Sequence, residues 1–224
     1  MKRTPKLREL PGALVTGFDP FGGEATNPSL EIARALDGEI IAGHRVVAAE
    51  LPTEFARSLR ALDSLLRKYR PALVIALGQA GGRSGISLER VAVNLIDARI
   101  PDNAGDQPVD APVVKRAAPA YFSTLPVKSM LAALRAANIP AELSQTAGSF
   151  VCNQVFYGLM HRLARMRPRV RGGFVHVPYL PEQAKKFPGV ASLPLETMIA
   201  GVRVSLAAAL STRADLHYAA GTTH

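Results

Sequence analysis

Pro71-Ala-Leu-Val-Ile-Ala-Leu-Gly78, continued by Gln-Ala-Gly-Gly-Arg-Ser-Gly85, decides the fold of this chain. The first eight residues form an apolar run of strand length with no polar alternation. A strand of that kind is buried on both faces, and such strands belong to parallel sheets covered by helices on either side. The glycines that follow read as a tight turn at its carboxyl end. Residues 173–177 repeat the pattern and stop at Pro178. Working outward, residues 13–16, 45–51 and 141–144 are further strands, and residues 86–96 look extended with an ambiguous middle at Leu88-Glu-Arg-Val91. Helical patterns fall between them. Asn27 caps a helix with Pro28 in its first position and Leu30, Ala33 and Leu36 on its apolar stripe. Thr53 is expected to cap a helix ending near Tyr69, with Phe55, Leu59, Leu62 and Leu66 inward. Other helices cover residues 127–137, 152–165 and 195–210. Residues 97–112 form a long polar loop of the functional or mobile kind. The alternation predicts a single α/β domain over residues 13–212, with helices on both sides of a largely parallel sheet. Residues 1–12 read as an extension and 213–224 as a tail that frays.

Composition narrows the function. Of 224 residues, 48% are hydrophobic and 20% charged, which is ordinary for a globular chain. No apolar run approaches the roughly 18–20 residues that span a bilayer. The basic start is followed by Pro11 and Gly12 rather than a signal-peptide core, so a cytoplasmic location and no membrane partner are expected. The single cysteine excludes an intrachain disulfide. Lys and Arg outnumber Asp and Glu by 27 to 18, a net charge of +9. Arg162, Arg165, Arg167, Arg169 and Arg171 cluster, but without Trp and with aromatics at 6% no nucleic-acid partner is expected. The turn after Leu77 fails as a dinucleotide site. Gly78 is followed by Gln79 and Ala80, G-x-G-x-x-G is absent, and the next segment is a strand that offers no helix N-terminus to a phosphate.

In open α/β sheets, working residues gather beyond the carboxyl ends of the strands. Cys152 follows Gly148-Ser-Phe-Val151 at the expected start of a helix, where backbone N–H groups are expected to lower a thiol pKa and can hold an oxyanion. A cysteine nucleophile wants an imidazole base. His217 and His224 belong to the tail, His161 lies along the cysteine's own helix, and His44 opens a strand. His176, near the carboxyl end of a strand, stands where a base belongs. Glu89, in an otherwise apolar segment, is the leading carboxylate, although spacing leaves Asp97 and Asp102 open. No zinc set such as His-Glu-x-x-His occurs, and neither metal nor cofactor is expected.

Four segments taken together carry a resemblance: Gly17-Phe-Asp-Pro-Phe-Gly-Gly23, the stretch from Gly78 through Glu89-Arg-Val-Ala-Val-Asn94, Gly148-Ser-Phe-Val-Cys-Asn153, and Gly173-Phe-Val-His-Val-Pro178. In order and spacing they resemble pyroglutamyl-peptidase I, the pyrrolidone-carboxylate peptidase family of cysteine peptidases, and Asp97-Ala-Arg-Ile-Pro-Asp-Asn-Ala-Gly105 fits too. The resemblance implies release of N-terminal pyroglutamate from peptides, with Glu89, Cys152 and His176 as the catalytic set. It implies a three-layer α/β/α sandwich around a twisted, mixed sheet, and a homotetramer. For a neutral lactam ring the pocket should be apolar. Phe18 and Phe21 can sandwich the ring, Ile100, Phe150 and Val151 complete the wall by resemblance, and backbone groups near Gln79 bond the lactam. The Cys152 helix start, helped by Arg99, would hold the oxyanion. Gln154 and Gln145 depart from the family's frequent His and Asn. Rival readings are a thiol amidase with another acyl preference, a non-catalytic small-ligand binder on the same scaffold, and a basic nucleic-acid binder.

Overall fold

The computed structural model describes residues 11–221. The apolar run after Pro71 is strand β4 (Leu73–Gln79), buried along its whole length. Around it are β1 (Gly12–Phe18), β2 (Ile40–Ile41), β3 (His44–Leu51), β5 (Ile86–Glu89), β8 (Ala141–Ser144) and β9 (Arg171–Val177). They form one seven-stranded sheet in the order β2-β3-β1-β4-β9-β5-β8. β3, β1, β4 and β9 are mutually parallel, whereas β5 runs antiparallel to β9 and parallel to β8. The sheet is therefore mixed and mostly parallel. A separate ribbon pairs β6 (Val91–Val93) with β7 (Ala120–Phe122).

The absence of a polar face on β4 follows from its place in the middle. Leu73, Ile75 and Leu77 pack into one core with α1 (Pro28–Leu36), α3 (Val127–Ala136) and α6 (Leu195–Ser211). Val74 and Ala76 point the other way, toward α2 (Ser58–Tyr69) and α4 (Val151–Leu163). Two helical layers thus enclose the sheet, as the alternation predicts. Asn27 caps α1, its Oδ1 accepting from the Ser29 N–H at 3.1 Å, with Pro28 first in the helix.

Four details differ from expectation. Thr53 does not cap α2, which begins at Ser58. Its N–H donates to Asp19 Oδ1 (2.7 Å) and its hydroxyl to the Asp19 carbonyl (3.2 Å), because the chain after β3 turns back onto the first loop before the helix begins. The extended stretch from residue 86 breaks at Arg90, separating β5 in the main sheet from β6 in the ribbon. Strand β7 and the four-residue helix α5 (Pro181–Ala184) carry too little periodicity to be seen in sequence. The segment read as a fraying tail is docked at its start. Asp215 accepts from the N–H groups of Lys128 and Ser129 at 3.1 and 2.8 Å, and Tyr218 donates to the Lys128 carbonyl at 3.2 Å. The first turn of α3 lacks a side-chain cap of its own, and Asp215 supplies one. His224 and residues 1–10 of the extension lie outside the described residues.

Candidate active site

Because β4 and β9 are parallel neighbours, their carboxyl ends meet, and Gly78 pairs in register with His176. Along β9, Phe174 and His176 share one face. The two rings lie 4.8 Å apart, centroid to centroid. His176 is buried, and its Nδ1–H donates to Glu89 Oε1 at 2.8 Å. Glu89 reaches it diagonally, since Ser87, two residues earlier on the antiparallel β5, is the register partner of His176. This bond fixes the ring and leaves Nε2 as the nitrogen available for proton transfer. Of the three carboxylates left open by sequence, Glu89 alone bonds a histidine among the described residues. Asp102 instead accepts the backbone N–H groups of Phe55, Ala104 and Asp106. Asp97 is exposed, on a loop whose backbone bonds to Ser149.

Cys152 is the second residue of α4 and is half-buried. Its sulfur lies directly over Gly78. A Cβ at that position would stand 2.9 Å from Sγ and 2.7 Å from Phe174 Cζ, so only glycine lets the helix start come this close to the strand. Thiol, imidazole and carboxylate thus gather at one end of the sheet, with no hydrogen bond yet joining Sγ to the imidazole among the described residues. The expected lowering of the thiol pKa is overturned. Burial pushes Cys152 up to about 12, and the Glu89 charge adds to the rise. The backbone N–H at the helix start acts in the opposite direction without winning. Activation of the thiol therefore falls to a base.

Asn153, the next residue, anchors the helix start. Its side chain accepts from the Val93 N–H at 3.0 Å and donates to the carbonyls of Val93 and Leu95, each at 2.9 Å. Gln154 accepts from the Ser58 hydroxyl and donates to the Phe55 carbonyl, both at 3.0 Å, tying α4 to the segment before α2. That segment carries Phe55, an aromatic that the sequence placed only on a helix stripe. Its ring meets Phe150 edge-on at 5.2 Å, while Phe21 meets Phe150 at 6.1 Å. Phe18 is separated from this group, buried against Phe174 at 6.4 Å, and Val151 is also buried. In this structure Phe18 and Phe21 therefore contact different rings. Ile100 and Arg99 are exposed on the 97–112 loop, and Arg99 makes no side-chain hydrogen bond among the described residues. The Gln79 side chain turns to the opposite sheet face and accepts from Gln183 at 3.0 Å. Asp19 and Asn103, which sequence did not single out, bind three loops together. Asn103 donates to the Pro20 carbonyl at 2.9 Å and its own N–H bonds the Thr53 carbonyl at 3.0 Å.

An α/β/α sandwich that collects these three groups beyond its central strands belongs with the hydrolytic enzymes. Comparison with known proteins makes this specific. The pyroglutamyl peptidase family model matches residues 12–212. A pyrrolidone-carboxylate peptidase of Cupriavidus taiwanensis is 56% identical over 216 residues, covering 96% of this chain and all of the relative. The pyrrolidone-carboxylate peptidase 1 of Ralstonia nicotianae is 53% identical, covering 96% of this chain and all of its own. The crystal structure of pyroglutamyl peptidase I from Bacillus amyloliquefaciens superposes with a TM-score of 0.91 at 41% identity, covering 94% of this chain and all of that one. The chain belongs to the pyroglutamyl peptidase family and is a peptidase. No described helix is long and apolar enough to cross a membrane.

Proposed function

We propose that this peptidase hydrolyses the amide bond after an N-terminal pyroglutamyl residue through a thioester acyl-enzyme, with Cys152 as nucleophile, His176 as base and Glu89 as the acid that orients it. The observation that carries the reading is the 2.8 Å bond from His176 Nδ1–H to buried Glu89, made one strand away from the glycine beneath Cys152 Sγ. His176 Nε2 takes the thiol proton, and the sulfur attacks the carbonyl that joins pyroglutamate to the next residue. Glu89 keeps the ring in the correct tautomer and stabilises the imidazolium. The imidazolium then protonates the departing amine as the C–N bond breaks. Water, deprotonated by the same nitrogen, cleaves the thioester and returns the proton to sulfur.

Phe150, the N-cap of α4, offers no side-chain cap, so the first N–H groups of the helix are open to an oxyanion. In this reading Arg99, on the adjoining loop, assists by closing on the oxyanion. The lactam fits the strand end, because β1 pairs with β4 only as far as Ala76 while β9 pairs with it through Gln79. The β1-facing backbone near Gln79 is left to bond the lactam N–H and C=O, with Phe18, Phe21, Ile100, Phe150 and Val151 as the surrounding apolar groups. The reading extends to a homotetramer in the cytoplasm by resemblance, and Phe122, 69% exposed, is the kind of residue a partner copy would cover. Light scattering on the purified chain measures the assembly.

Cys152→Ser is expected to lower turnover of a pyroglutamyl arylamide at least 1000-fold with the fold retained, and Glu89→Gln to cost less, since an orienting group is easier to replace than a nucleophile. Normal turnover by Cys152→Ser removes the nucleophile assignment.

A further inference from the structure

Glu89 is fully buried, yet its hydrogen bonds are incomplete. Oε1 accepts from His176, while Oε2 has no partner among the described residues. A carboxylate so placed needs a counter-charge. Among the described residues the Lys or Arg within reach is Arg83, in the turn between β4 and β5. Its side chain is three-quarters buried, and its guanidinium spreads over four partners. Nη2 lies 3.4 Å from Glu89 Oε1 and donates to the Thr146 carbonyl at 3.0 Å. Nη1 donates to Glu142 Oε1 at 3.1 Å and to the Ser144 hydroxyl at 3.2 Å. Thr146 opens the short loop that ends in the helix start carrying Cys152. One planar fork therefore touches the acid on β5, the end of β8 and the loop of the nucleophile.

We infer that Arg83 is a positioning residue of this site: it holds Glu89 against His176, ties the acid to the loop that presents Cys152, and balances the charge that Glu89 would otherwise direct at the thiol. The inference rests on the Glu89–Cys152–His176 reading. Around the thiol, the Glu89 charge on β5 acts on Cys152, His176 on β9 bonds Glu89, and Arg83 on the turn also bonds Glu89. Glu142 on β8 draws on the same guanidinium from its outer side, and Asp97 and Arg99 lie exposed on the neighbouring loop. The Glu89 charge already opposes a thiolate at Cys152, so loss of the Arg83 charge increases that opposition. Lysine keeps the charge but, as a single ammonium, cannot span four acceptors in one plane.

Cys152 is the sole thiol, so the pH dependence of its alkylation by iodoacetamide reads the site directly, beside the pH profile of kcat/KM for a pyroglutamyl arylamide. Arg83→Gln is expected to move the alkylation midpoint and the profile to higher pH by about half a unit or more. Arg83→Lys should keep both positions while kcat falls about tenfold or more as alignment loosens. Glu142→Gln leaves Arg83 intact and its charge less shared, so it should move the midpoint to lower pH, a test that holds even where Arg83→Gln does not fold. Unmoved midpoints in Arg83→Gln or, if that variant is unfolded, in Glu142→Gln overturn the inference. A displacement in Arg83→Lys as large as in Arg83→Gln also overturns it. If Cys152→Ser and His176→Ala are inactive while the Arg83→Gln midpoint stays in place, the triad stands and only the role of Arg83 falls.

Discussion

Gly78→Ala adds one methyl group directly beneath the nucleophile. The new Cβ would lie 2.9 Å from Cys152 Sγ and 2.7 Å from Phe174 Cζ. Comfortable contact between such atoms begins near 3.6 Å, so sulfur and ring must retreat by about 0.7 and 0.9 Å. Neither retreat is free. Cys152 sits on a helix whose start Asn153 anchors to β6 and the residues after it, and the Phe174 ring is packed against His176, Phe18 and Phe156. Overpacking of this kind costs about 1–3 kcal/mol, or roughly 2–12 °C in Tm for a domain of this size. A displacement near 1 Å at the reacting atoms costs on the order of 100-fold in rate. The assay is kcat and KM on a pyroglutamyl arylamide beside thermal unfolding. The control is Gly201→Ala, which overpacks α6 against Ile86, whose Cδ1 would be 2.2 Å from the new atom, on the sheet face away from Cys152. Gly201→Ala should lose comparable stability and keep its kcat below its Tm, whereas Gly78→Ala should lose kcat with KM changed little. Wild-type kcat in a folded Gly78→Ala protein would refute the claim that the reacting sulfur sits over this strand.

Two other substitutions test the supports of the site and of the chain end. Asp102→Ala strips three backbone N–H groups of their acceptor, of which the buried Phe55 N–H costs about 1–3 kcal/mol when left unpaired, and should loosen the loop bearing Arg99 and Ile100, raising KM several-fold in steady-state kinetics. Asp215→Asn should destabilise the fold by about 1 kcal/mol at neutral pH with kcat unchanged, since Asp215 caps α3 away from the strand ends that carry the site. Burial opposes the Asp215 charge, but hydrogen bonds from Lys128, Ser129 and Leu216 outweigh it and hold the carboxyl below its usual range. A carboxyl lowered in the folded state stabilises above its unfolded pKa and loses that contribution as pH falls through the folded one. The Tm gap between wild type and Asp215→Asn should therefore be full at pH 7 and close as the pH is taken below about 4.

The sequence by itself determined the layers and the place of the chemistry. A run such as Leu73–Leu77 with no polar face can only be a strand covered on both sides, and Asn27-Pro28 states where a helix starts through local backbone chemistry alone. The position of Cys152 just after a glycine turn and of His176 at a strand end was legible for the same reason, because carboxyl ends of parallel strands are open. Choosing Glu89 over Asp97 and Asp102 was beyond residue patterns, since it depends on β5 running antiparallel beside β9, a pairing between segments 87 residues apart. The same holds for Arg83, whose partners come from β5, β8 and the loop beyond, and for Asp215, which reaches 86 residues back to cap α3. The thiol shows the limit most clearly. Its address at a helix start argued for a lowered pKa, but the packing of Phe174 and Gly78 around it and the nearby Glu89 charge set the opposite sign, because desolvation and long-range charge are properties of the assembled fold rather than of any local run of residues.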